Sequence, residues 1–98
     1  LNSNRRSLKT VTVRIEGRVQ GVYYRAWTEQ TARRLNLDGW VRNRRDGGVE
    51  AVFSGPEAQV DEMLRRCAEG PPDANVTSVT VTDESGAPPS GFSVLPTH

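Results

Sequence analysis

Val11, Val13 and Ile15 alternate with Thr12, Arg14 and Glu16, the period of two that places one side of a strand in a core and the other in water. From Tyr24 the period changes. Tyr24, Thr28, Thr31 with Ala32, and Leu35 recur at helical spacing, with Glu29, Gln30, Arg33 and Arg34 mostly opposite, and Asn36 is a plausible helix stop. Residues 38–43 and 49–53 are short strand-like runs separated by Arg44-Arg45-Asp46-Gly47-Gly48, where Asp-Gly signals a tight turn. They predict a hairpin. Ser54-Gly55-Pro56-Glu57 then reads as a helix start, either as a capping box from Ser54 to Glu57 or with Pro56 in the first turn. The stripe Val60, Met63, Leu64, Cys67 follows, ended by Gly70-Pro71-Pro72. Residues 76–82 alternate again at Val79 and Val81, a loop runs from Ser85 to Gly91, and Phe92 and Val94 suggest a short last strand.

The predicted order is βαββαβ with an extra edge strand. Two right-handed β-α-β crossovers interleave into one antiparallel sheet with both helices on one face, so the expected class is α+β and the expected fold a ferredoxin-like sandwich. Residues 1–8 are polar and basic without periodicity and read as a flexible N-terminal arm. The domain is expected over residues 9–98.

Composition limits the chemistry. A chain of 98 residues, 35% hydrophobic and 26% charged, suits one small globular domain with one core. A net charge of +1 makes no global case for nucleic acid or anionic membrane, so any anion preference must be local. No apolar run approaches the roughly 18 residues needed to span a bilayer, and the first residues lack the apolar stretch of a signal peptide. The expected location is cytoplasmic. With one cysteine, Cys67, on a predicted apolar stripe and one histidine, His98, at the last position, neither a Cys/His metal cluster nor a histidine triad is expected. No cofactor is expected.

The local anion site is Gly17-Arg18-Val19-Gln20-Gly21-Val22-Tyr23-Tyr24-Arg25. A glycine-bounded loop between a strand and a helix exposes backbone N–H groups, and the helix N-terminus adds unpaired amides and positive potential. Arg25 adds a planar fork of donors that can hold two oxygens. An arginine in a first helical turn is most often merely solvated, yet a cation there opposes the helix dipole by about 0.3–1 kcal/mol. A visiting anion explains its place better. The Gly-Lys-Ser/Thr ending of a nucleotide-binding P-loop is missing, which argues against ATP or GTP hydrolysis. Asn43, ending the second strand, reads alone as an ordinary turn asparagine.

Together, Gly17 to Arg25 and then Gly39-Trp40-Val41-Arg42-Asn43 with Gly47 and Val49 closely resemble the two signature segments of the acylphosphatase family. The resemblance covers roughly residues 9–95. It implies metal-independent hydrolysis of the carboxyl-phosphate bond of small acyl phosphates, giving a carboxylate and inorganic phosphate. It puts the phosphate cradle on Gly17, Arg18, Val19, Gln20, Gly21, Val22 and Tyr23, the phosphate-binding arginine on Arg25 and the water-positioning asparagine on Asn43. Substrates such as 1,3-bisphosphoglycerate or carbamoyl phosphate are implied without a choice between them. Tyr24 stands where the family more usually has phenylalanine, and Arg44 where a small polar residue is common.

Expected partners are a small acyl phosphate and a phosphate or other anion in the loop, with no nucleic acid and no membrane, acting on a monomer. The alternative is a non-catalytic anion- or RNA-binding ferredoxin-like module. Against RNA, the strands lack the aromatic signature of that surface.

Overall fold

A computed structural model describes residues 8–84 and 86–98. The chain runs β1 (Leu8–Arg18), α1 (Tyr24–Arg34), β2 (Asp38–Asn43), β3 (Val49–Pro56), α2 (Glu57–Cys67), β4 (Asn75–Asp83) and β5 (Phe92–Val94). Residues 1–7 of the expected arm and Ser85 of the expected loop lie outside the described residues, while Leu8 already opens β1.

The strands lie in the order β4-β1-β3-β2-β5. The first four pair antiparallel, and β5 adds to β2 in parallel. Both helices pack on the sheet and touch each other, so they share one face, as a ferredoxin-like fold requires. The alternation of β1 explains which face: Val11, Val13 and Ile15 are fully buried, whereas Thr12 and Arg14 are half-exposed on the other side. Phe53 of β3 and Val60, Met63 and Cys67 of α2 complete this core. The Phe53 ring stacks on that of Phe92, with centroids 5.7 Å apart. This contact anchors the short β5.

Two local expectations are corrected. Ser54 does not cap α2; it lies within β3, where its hydroxyl hydrogen-bonds that of Thr10 at 2.7 Å. The N-cap is Pro56, without a side-chain bond, so the proline stands just outside the helix and not in its first turn. In β4, Val76 and Val79 are three residues apart yet both half-buried. A bulge opposite Glu16 and Gly17 accounts for the spacing, because one extra residue in β4 returns Val76 to the side of Val79. Gly17, at φ 121°, is needed there because a Cβ would run into the carbonyl of Asn75.

Candidate active site

After β1 the chain makes a tight loop whose geometry its residues dictate. Gly21 has φ 74°, and Tyr23 has φ 65°. A left-handed tyrosine costs about 1–2 kcal/mol and persists only where surrounding structure demands it. Its carbonyl accepts the Trp27 amide at 3.0 Å, closing the first turn of α1. Among the described residues, none of the amides from Gln20 to Tyr23 donates to a backbone carbonyl. The loop thus presents donors at the positive end of a helix that has no acidic residue in its first turn.

Gln20 ties this loop to the β2–β3 hairpin. Its Nε2 donates to the carbonyls of Arg44 at 2.7 Å and Gly48 at 2.8 Å, across a neck closed by the Arg44 amide on the Gly48 carbonyl at 2.8 Å. Both acceptors are carbonyls, so the side-chain nitrogen must face them. Asp46 stiffens the same hairpin by accepting the Gly48 amide at 3.1 Å and pairing with Arg14 at 2.6 Å. The Arg14 guanidinium holds the Asp46 carboxyl below the usual range.

A cleft of about 500 Å³ opens where these pieces meet. Val19, Gln20, Gly21 and Tyr23 come from the loop, Arg25, Ala26 and Glu29 from α1, Asn43 from β2 and Val94 from β5. Arg25 and Asn43 therefore face one space. Arg25 is half-buried and, among the described residues, makes no ion pair; Glu29, one turn on, bonds Arg33 at 2.9 Å instead. The side-chain oxygen of Asn43 is buried without a partner among the described residues, a condition that costs about 1–3 kcal/mol unless a donor is supplied.

Three residues of the expected cradle do not line the cleft. Gly17 serves the bulge, Arg18 ends β1 opposite Asn75, and Val22 is buried in the core. Sequence reasoning missed Tyr24, Ala26, Glu29 and Val94 as lining residues. Glu29 could have been found by its helical spacing from Arg25, whereas Val94 depends on the parallel docking of β5.

Tyr24 and Gly39 support the site from below. The Tyr24 hydroxyl, in a side chain only 1% exposed, donates to the Cys67 carbonyl at 2.7 Å, and burial first, then the nearby Cys67, push its pKa up. Cys67 is fully buried in the core, and that burial pushes its thiol up to about 12. A Cβ at Gly39 would overlap the Val52 carbonyl, so only glycine lets the β2 backbone lie that close. His98 donates its amide to the Asn43 carbonyl at 3.0 Å, which brings the histidine backbone beside the site, while the residue itself falls outside the cleft lining.

The acylphosphatase family model matches residues 11–94. A Rhodospirillum rubrum acylphosphatase is 55% identical over 89 residues, covering 91% of this chain and 98% of the relative. The Coxiella burnetii acylphosphatase structure superposes with a TM-score of 0.87 at 33% identity, covering 90% of this chain and 93% of that one. The Bacillus subtilis acylphosphatase gives 0.85 at 33% identity, covering 91% and 99%. The family model spans most of the chain and the relatives share its length and fold, so the chain belongs to the acylphosphatase family.

Proposed function

We propose that this acylphosphatase holds the phosphoryl group of a small acyl phosphate between the loop amides and Arg25, while Asn43 orients the attacking water. A bond forms between the water oxygen and phosphorus, and the bond from phosphorus to the acyl oxygen breaks. The carboxylate leaves with the electron pair, and the water proton goes to a phosphoryl or carboxylate oxygen. A carboxylate is already a good leaving group, so positioning and charge stabilisation suffice without a general acid. An asparagine amide cannot act as a base near neutral pH, but it can fix a water by hydrogen bonding, and the same bond would satisfy its buried oxygen.

The observation that carries this reading is the convergence of Arg25 and Asn43, from different elements, on one cleft beside the unpaired loop amides. The fuller reading is a monomer in the cytoplasm, acting on small molecules and not on nucleic acid, with an anion bound in the loop. Among the described residues, no helix is long and apolar enough to cross a membrane.

Binding of inorganic phosphate and hydrolysis of benzoyl phosphate with EDTA present test the role of Arg25. Arg25→Ala is expected to weaken phosphate binding at least tenfold and lower kcat/KM about 100-fold or more. Arg25→Lys should not restore either, because an ammonium lacks the planar fork. Unchanged phosphate affinity in Arg25→Ala would remove the arginine from the phosphoryl site.

A further inference from the structure

The cleft extends beyond the phosphoryl position, and its outer part has a character of its own. Among the described residues, the exposed large hydrophobic side chains are Leu8, Tyr23, Val81 and Val94, and two of these, Tyr23 at 83% and Val94 at 40% exposure, stand at this cleft. Tyr23 is held there in a left-handed backbone. Ala26 adds a small apolar floor from α1. Glu29 is the one acidic residue of the lining, and it lies four residues beyond Arg25 on α1, about 6 Å along the axis. Its carboxylate is only partly neutralised. Arg33 bonds it at 2.9 Å, but the Arg33 side chain is 63% exposed and also donates to the Phe92 carbonyl at 3.1 Å.

We propose that this outer cleft, formed by Tyr23, Ala26, Val94 and Glu29, is an acyl subsite for neutral, apolar acyl groups, and that Glu29 discriminates against acyl groups carrying a second negative charge. The inference rests on the phosphoryl group sitting at Arg25, which makes the helix surface beyond it the place where the acyl group extends. Tyr23 and Val94 offer apolar contact to an aliphatic or aromatic acyl group. A carboxylate or second phosphate on that group would meet the Glu29 carboxylate. Two unit charges 4 Å apart in water repel by an amount worth about a fivefold change, which solvent screening at an open cleft and the Arg33 ion pair make the upper end of the effect.

The test compares kcat/KM for 4-methylbenzoyl phosphate and 4-carboxybenzoyl phosphate, which share the phosphoryl end and differ in charge at the acyl end. The wild type should favour the methyl compound. Glu29→Gln should reduce that ratio by about twofold to fivefold, and Glu29→Lys should reduce it further. Val94→Ser should lower the preference for benzoyl over acetyl phosphate about threefold. Ratios that stay constant in both Glu29 variants, while both substrates are still hydrolysed, would overturn the proposal and leave the phosphoryl site standing. Loss of phosphate binding in Arg25→Ala, by contrast, is read on a different variant, so the two failures are distinguishable.

Discussion

The Tyr24 hydroxyl is where the chain departs from the more usual phenylalanine and yet loses nothing, because it donates to the Cys67 carbonyl at 2.7 Å. The ring also packs at a tilt against Trp27, with centroids 5.3 Å apart. Gly70 is confined by the same ring, since a Cβ there would come within 2.7 Å of it. The phenol thus links the start of α1 to the end of α2. Tyr24→Phe should destabilise the protein by about 1 kcal/mol, through loss of a buried hydrogen bond, and leave kcat unchanged. Urea unfolding beside benzoyl phosphate kinetics checks both parts. A fall in kcat without a fall in stability would mean that the hydroxyl acts on the site and not on the fold. Arg44, the other departure, pairs with Glu50 at 3.3 Å, as Arg42 does at 3.0 Å. Neither guanidinium is therefore a free charge for an incoming anion.

At the scale of elements, the loop before α1 and the hairpin after β2 act as one unit because Gln20 bridges them. Gln20→Met keeps the length of the side chain and removes its donors, leaving two carbonyls of the hairpin neck without that partner. The variant should lower kcat about tenfold or more by letting Asn43 drift from the loop, with a smaller effect on phosphate affinity, since misplacement of a reacting group by 1 Å can cost about 100-fold. Because Asn43 is the group displaced, Gln20→Met should add little further loss in an Asn43→Ala background; equal losses in both backgrounds would separate Gln20 from the placing of the water. This bridge was invisible in the sequence, because its partners are backbone carbonyls 24 and 28 residues away, and backbone groups carry no residue signature. What was legible had local or periodic causes: the alternation of β1, the stripes of both helices, the Asp-Gly turn and the glycine loop. The capping box at Ser54 was misread because a local motif competed with a distant pairing, and the register of β3 against β1 brings Ser54 opposite Thr10. Arg25 was legible from its place in a first helical turn, whereas Asn43 and its meeting with Arg25 in one site came only from the family resemblance, since the geometry depends on how β2 docks beside α1.

Over the whole molecule, one hydrophobic core carries both helices on a single sheet, and its ionisable members set the response to alkali. Cys67 holds its proton to about 12 when folded, whereas an unfolded cysteine loses it near about 8.5. Above that value the unfolded chain binds fewer protons than the folded one, so stability falls as pH rises. Tyr24, also raised by burial, adds to the fall above about pH 10. Urea midpoints should therefore drop between pH 8 and 10.5, and Cys67→Val should flatten the part below pH 10. A thiol reagent should react only as fast as the protein opens, and rapid labelling of the native state would contradict the burial. The central claim concerns the division of labour within the cleft, in which Arg25 binds the phosphoryl group and Asn43 places the water. It is tested most directly by measuring kcat for benzoyl phosphate and the inhibition constant of inorganic phosphate in Asn43→Ala. The account predicts a kcat lower by about 100-fold or more, comparable to removing one oriented catalytic hydrogen bond, with phosphate inhibition within about twofold of the wild type. Near-wild-type turnover, or a parallel loss of phosphate binding, would contradict it.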